Sequence, residues 1–132
     1  MREILFKAKR IDNGEWVEGT PIFDYRDEQW RIIMELDYST GTCITSDRAP
    51  RVIAKTICQY TGLTDKNGNK IWENDLVLDS EEGELYKMVW CHDSMRYCVE
   101  KTGGFDYEFD SSYAISLEVI GNVFDNADLL KE

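Results

Sequence analysis

Long apolar runs are absent from this chain of 132 residues. None approaches the roughly 20 residues that a membrane-spanning helix requires. The opening Met1-Arg2-Glu3-Ile4-Leu5-Phe6-Lys7 alternates charge with apolarity where a signal peptide would be continuously apolar, so the chain is expected to stay in the cytoplasm. The four cysteines, Cys43, Cys58, Cys91 and Cys98, contain no Cys-x-x-Cys pair. In that compartment they are expected to be reduced thiols rather than a disulfide framework. Histidine occurs once, at His92. There is no Gly-x-Ser-x-Gly elbow, no phosphate-binding Gly-rich loop and no His-Glu-x-x-His, so hydrolase, nucleotide-binding and zinc-protease chemistries lack their usual anchors. No internal repeat and no Pro/Gly/Ser-rich linker is present either.

Positive charge is scarce in the second half. Residues 61–132 carry six Lys and Arg against sixteen Asp and Glu, whereas residues 1–60 carry nine against ten, so the formal net charge of −11 divides into −10 and −1. Nucleic-acid affinity rests largely on Lys and Arg displacing condensed counterions. The second half would repel a phosphate backbone, which leaves only the first half to touch DNA or RNA.

What is present suits a small β fold. A chain of this size buries roughly two-thirds of its unfolded surface, enough to fold without metal or disulfide staples. Four Trp, five Phe and seven Tyr supply large side chains for a core. Short apolar or alternating runs separated by Gly, Asn, Asp and Ser predict an all-β or β-rich α+β chain. Glu3–Lys9, a reversal at Asp12-Asn13-Gly14 and Glu15–Gly19 read as an opening hairpin. Gln29–Leu36 is favoured as a strand over two helical turns. Between Asp37 and Pro50, Ser, Thr, Gly and Asp dominate, which predicts a mobile loop with one short strand at Thr42–Thr45. Thr56–Leu63 reads as a strand, Asp65–Asn69 as a tight turn, and Ile71–Asp79 as resumed extended structure. A meander follows through Glu84–Cys91, Arg96–Lys101 and Leu117–Phe124, which suggests a small SH3-like barrel. Asn126 is placed to cap a helical turn over Ala127–Lys131, with Leu129 and Leu130 packing inward. The expected organisation is an N-terminal β subdomain over 1–58 and a barrel-like C-terminal subdomain over 59–132. These two are expected to pack as one unit, because about 60 residues are marginal alone.

The segment Gln59-Tyr60-Thr61-Gly62-Leu63-Thr64-Asp65-Lys66-Asn67-Gly68, continuing through Ile71-Trp72-Glu73-Asn74-Asp75-Leu76-Val77, resembles the central signature of the YopX family. Arg2–Ala8 matches that family's opening strand, and Glu118–Phe124 followed by Leu129-Leu130 matches its closing segment. Two positions depart from the pattern: Lys9 falls where the family often carries Trp, and Asn74 where Gly is frequent. The resemblance implies a β-rich fold, a phage or prophage origin and hence a bacterial host, but no reaction. The signature also reads directly as scaffold, with Gly62 at a bend, Asn67-Gly68 in a turn and Asp75 accepting backbone amides.

His92 reads as an exposed turn histidine rather than an acid or base. Cys91 and Cys98 would stand directly opposite each other if a hairpin reversed between Ser94 and Met95. Two thiols packed in a reduced sheet is the favoured reading over a Cys₃His zinc site, whose ligand spacing is missing. No metal or cofactor is expected. Phe105-Asp106-Tyr107-Glu108-Phe109-Asp110 alternates aromatic and acidic residues, so one strand would present Asp106, Glu108 and Asp110 together. A solvated outer face is the plainer reading; an acidic surface for a basic protein partner is the sharper one. Lys7, Lys9, Arg10, Arg48 and Arg51 are the candidate basic patch, with Arg2 and Lys55 nearby in type. Such a patch would serve nucleic acid or the acidic half of a second copy. The leading expectation is a non-enzymatic protein-interaction module; a nucleic-acid-binding module and an enzyme with an unfamiliar site are the alternatives.

Overall fold

The computed structural model describes residues 4–34, 49–92, 94–101 and 105–130, with 105–108 and 130 described by their backbone. The chain divides into two compact units, Glu3–Gln59 and Tyr60–Glu132.

The first unit is built on an antiparallel hairpin of β1 (Phe6–Lys9) and β2 (Trp16–Asp24), with Ala8 opposite Val17. The reversal at 12–14 forms as expected. The Asn13 side-chain oxygen accepts the Glu15 amide at 2.9 Å, and Gly14 takes a φ of 73° that favours glycine. β3 (Gln29–Ile33) returns along β2, pairing Trp30 with Phe23 and Ile33 with Thr20. The strand reading of this stretch therefore holds through Ile33; Glu35 and Leu36 lie outside the described residues. β3 passes so close to Gly19 that a Cβ there would strike the Ile33 carbonyl oxygen. The segment 50–53 then ties the hairpin together. The Val52 amide donates to Trp30 at 2.9 Å on one side, and the Ile53 amide donates to Lys9 at 2.9 Å on the other. Ala8, Val17, Ile32 and Val52 are buried together inside this arrangement. The expected loop of 37–50, its short strand at Thr42–Thr45 and Cys43 lie almost wholly outside the described residues.

Thr56, expected to open a strand, instead ends a short 3-10 turn (Ala54–Thr56). Its hydroxyl donates to the Ile53 carbonyl at 2.6 Å and accepts the Lys9 amide at 2.9 Å, a local alternative to strand pairing that Thr side chains often offer. β4 (Cys58–Thr64) starts two residues later, and its first two residues pair with Lys7 and Phe6 of β1.

In the second unit, β4 continues from Tyr60 and pairs with β5 (Lys70–Trp72). The extended run expected over Ile71–Asp79 is broken at Glu73-Asn74. Asn74 adopts a left-handed φ of 70°, which Asn tolerates better than most residues, and the Trp72 amide donates to the Asp75 carboxylate at 2.8 Å. The chain thereby leaves β5 and enters β6 (Asp75–Asp79) of a different sheet. That sheet also holds β7 (Glu84–Cys91), β8 (Arg96–Lys101), β9 (Phe105–Glu108) and β10 (Leu117–Asn122), all antiparallel, in the order β10-β6-β7-β8-β9. Val77, Met88, Val99, Leu117 and Ile71 are fully buried at its core.

The β-rich fold expected from the sequence is present, but the barrel does not close. β9 pairs only with β8 and β10 only with β6 among the described residues. Between them the chain forms a helical turn, α1 (Ser111–Ala114), whose buried Ala114 and half-buried Tyr113 pack on the core.

Two further expectations are corrected, one by strand register and one by exposure. The β7–β8 turn spans four residues, so Cys91 pairs with Arg96 and Cys98 with Val89. The two cysteines are diagonal neighbours on one face rather than directly opposed. At the C-terminal end, Leu129 of the 3-10 turn Ala127–Leu130 is 41% exposed and does not pack inward. Asn126 turns its side-chain oxygen back to the Asn122 amide at 3.2 Å, and it is the Asn126 backbone carbonyl that accepts from Leu129. Among the described residues, no helix is long and apolar enough to cross a membrane.

Candidate functional site

The candidate basic patch is largely engaged by its own neighbours. Lys7 and Lys9 project from β1, and their ammonium groups lie 4.5 and 5.8 Å from the Trp16 ring centroid, within cation–π range. Arg10 makes a two-point contact with Asp12 at 2.9 and 2.8 Å. Arg51 donates to Asp27 at 2.9 Å. Arg48 lies outside the described residues.

The contact from Arg51 belongs to a larger ion cluster at the β2–β3 turn that sequence reasoning missed. Arg31 spends its guanidinium on three acceptors: Asp24 at 3.0 Å, Asp27 at 2.8 Å and the Ala49 carbonyl at 2.8 Å. Arg26 forks onto Asp24 from the solvent side at 3.0 and 2.8 Å. The Arg26 side chain and amide hold the buried Asp24 carboxyl well below the usual carboxylate range. Burial pushes Asp27 up, but Arg31 and Arg51 outweigh it and leave it lowered. The sequence signal was Asp24-x-Arg26-Asp27 with Arg31 four positions further on, a spacing that a tight turn folds together. Three arginines and two aspartates satisfying one another form a clasp on the hairpin, with most of their donor capacity spent internally.

The acidic candidates do not all fall in one strand. Asp110 does not continue the β9 strand; it is the N-cap of α1, where its exposed carboxylate accepts the Tyr113 amide at 2.9 Å. The strand expected from the alternation therefore ends at Glu108, and the side chains of Asp106 and Glu108 lie outside the described residues. Asp106 and Glu108 lie within β9, in register with Glu100 and Cys98 of β8.

Three other aspartates of the second unit are buried: Asp65, Asp75 and Asp79. Each accepts backbone amides. Asp65 takes those of Asn67 and Asn69 on one oxygen and Val119 on the other, all at 2.9 Å. Asp75 takes the Trp72 amide, as the sequence suggested. Asp79 takes the Glu81 amide at 3.1 Å and the Tyr113 hydroxyl at 3.0 Å. The signature around Asp65 and Asp75 is thus a scaffold that shapes turns. His92 is exposed in the β7–β8 turn. Among the described residues, no group of three or more His, Cys, Asp or Glu is arranged to hold a metal ion.

Comparison with known proteins agrees with this architecture. No curated protein matches the chain. Among solved structures, it is similar to the crystal structure of protein EF1440 from Enterococcus faecalis, at 26% identity and a TM-score of 0.67, covering 99% of this chain and 100% of that one. The family model described as YopX protein matches residues 5–131, nearly the whole length, and on that match the chain belongs to the YopX family.

Proposed function

We propose that this protein is a non-enzymatic accessory factor of phage or prophage origin, acting in the bacterial cytoplasm through contact with a basic protein partner. The observation that carries the reading is the uneven use of charge in the two units. In the first, the described arginines of the candidate basic patch are matched to aspartates. In the second, subtracting the buried Asp65, Asp75 and Asp79 from sixteen acidic residues still leaves thirteen against six Lys and Arg. A surface of that sign attracts a cationic protein and repels nucleic acid. The internal pairing of Arg10 and Arg51 is what weighs against the nucleic-acid alternative.

Affinity capture from host and phage-infected lysates tests the proposal. Basic proteins should be recovered at low ionic strength and released as salt rises through the range where the Debye length falls below about 8 Å. An empty capture, or retardation of DNA or RNA by the purified protein at low salt, would refute it.

A further inference from the structure

Two Asn-Gly pairs occur in the chain, Asn13-Gly14 and Asn67-Gly68, and each serves a reversal. Asn-Gly is also the pair in which a backbone nitrogen most easily reaches the preceding carboxamide, because glycine puts no side chain in the way. In several respects the two pairs are matched. Both asparagines are exposed, and both glycine amides are engaged, Gly14 with the Arg10 carbonyl at 3.0 Å and Gly68 with that of Asp65 at 3.1 Å. The carboxamides differ. That of Asn13 is held at both ends by Glu15: its oxygen accepts the Glu15 amide at 2.9 Å, and its nitrogen donates to the Glu15 carboxylate at 3.4 Å. That of Asn67 makes no hydrogen bond among the described residues; only the Asn67 backbone amide is used, donated to Asp65 at 2.9 Å. A side chain added at Gly68 would meet nothing within 4 Å, so the Asn67 carboxamide can swing onto the glycine nitrogen unobstructed.

We propose that Asn67 is a site of spontaneous covalent modification, and that its rearrangement loosens the hold of Asp65 on β10. The Gly68 nitrogen attacks Cγ of Asn67. The new C–N bond closes a succinimide ring, and the carboxamide nitrogen leaves as ammonia, carrying away the proton that Gly68 sheds. Water then opens the ring at one of its two carbonyls. One opening gives aspartate; the other gives isoaspartate, whose main chain runs through Cβ and Cγ and is longer by one atom. The placement of that extra atom matters. Asp65 holds the amides of Asn67 and Asn69 on one oxygen, and the altered linkage falls between them. The Asp65 amide also donates to the Asn69 carbonyl at 2.8 Å, so the loop has little room for a longer path. The same turn reaches β10 through the Val119 amide on the second Asp65 oxygen and through the Lys66 amide on the Leu117 carbonyl. Distorting it therefore unfastens one edge of the large sheet. Aspartate at 67 keeps the chain length and leaves the turn in place. This chemistry stands apart from the partner reading and needs only water.

The test incubates the full chain at mildly alkaline pH. Peptide mapping that separates the asparagine, aspartate and isoaspartate forms follows the chemistry, and amide hydrogen exchange follows the structure. Asn67 should convert severalfold faster than Asn13, with isoaspartate among the products. The isoaspartate fraction should lose exchange protection at Val119 and melt at a lower temperature. Conversion of Asn13 as fast as Asn67, or no conversion at Asn67, overturns the modification site. Isoaspartate at 67 with Val119 protection intact overturns the loosening of β10. Two variants sharpen the reading. Asn67→Gln, whose longer side chain cyclises far more slowly, should keep its melting temperature through the same incubation; a decline equal to that of the wild type would place the damage elsewhere and sink the proposal. Freshly prepared Asn67→Asp carries the new charge without the longer main chain and should retain Val119 protection. Loss of protection in that variant would make charge, not chain length, the cause and overturn the proposed route.

Discussion

The carboxylate of Asp65 accepts the amide of Val119 at 2.9 Å, although 54 positions separate the two residues. With its other oxygen, Asp65 takes the amides of Asn67 and Asn69. One side chain thus shapes the turn after β4 and attaches that turn to the edge of β10.

Replacing Asp65 by Ala leaves three amides without their acceptor in a site only 4% exposed. The expected loss is about 3 kcal/mol of unfolding free energy, since a buried donor left unsatisfied costs about 1–3 kcal/mol and water can enter to serve some of them. Equilibrium denaturation checks this; a loss below about 1 kcal/mol would show that the turn holds without it.

Acid should act on the same residue. Burial pushes the Asp65 carboxyl up, but the Val119, Asn69 and Asn67 amides outweigh it and hold it below its ordinary value. Asp24 and Asp27 are lowered by their arginines. A carboxyl whose pKa is depressed on folding stabilises fully above its unfolded value, about 3.9, and that stability is lost as pH falls through the folded value. The melting temperature should therefore be insensitive to these groups from pH 7 to about pH 5 and fall below about pH 4. Asp65→Asn should show a shallower acid decline than the wild type.

Alkali should act through Tyr113. Burial, then the bond to Asp79, pushes its hydroxyl far above the ordinary tyrosine value. For a group raised on folding, stability is fully present below the unfolded value of about 10 and is lost as pH rises beyond it. Tyr113→Phe should lower stability at neutral pH and remove part of the decline above pH 10, which thermal melts across pH 7–11 would reveal.

Within the β2–β3 clasp, Arg31 should matter more than Arg26. The Arg31 side chain is 11% exposed and serves three acceptors, whereas Arg26 is 73% exposed and serves Asp24 alone. Arg31→Lys cannot reproduce a fork onto several acceptors and should lower the melting temperature clearly, while Arg26→Lys should change it little. Equal effects would mean that the solvent-side contact is as important as the inner one.

Cys91 and Cys98 should resist joining. Diagonal neighbours on paired strands sit about 7–8 Å apart, beyond the span a disulfide bridges without backbone movement. Mild oxidation followed by non-reducing peptide mapping should show no Cys91–Cys98 link, and alkylation should reach half-buried Cys91 before buried Cys98 and Cys58.

Much of the fold was legible because turns announce themselves chemically. Asp12-Asn13-Gly14 and Asp65–Asn69 carry the residue types that reversals demand, and the strands around them were placed to within a few residues. Part of what escaped depended on partners far along the chain, and part on local competition between turn, cap and strand. Ile71–Asp79 looked continuous because Asn74 is not glycine, and its left-handed turn is stabilised by Asp75, the Met88 carbonyl and the Val123 amide. Alternation through Asp110 mimicked a longer strand, but a carboxylate before Ser111-Ser112-Tyr113 competes as a helix cap. The Cys91–Cys98 register turned on the length of a four-residue turn. In the candidate site, residue types were visible, but their mutual satisfaction was not. Nothing local to Arg51 reveals that Asp27 meets it across 24 positions.

The placement of β10 beside β6 bears on how the protein is made. Until residues 117–122 leave the ribosome, β6 has one edge open and Asp65 lacks its Val119 donor, so the second unit cannot finish folding while most of it already exists. A nascent chain halted just short of β10 is the form in which this protein should be most exposed to proteases and chaperones.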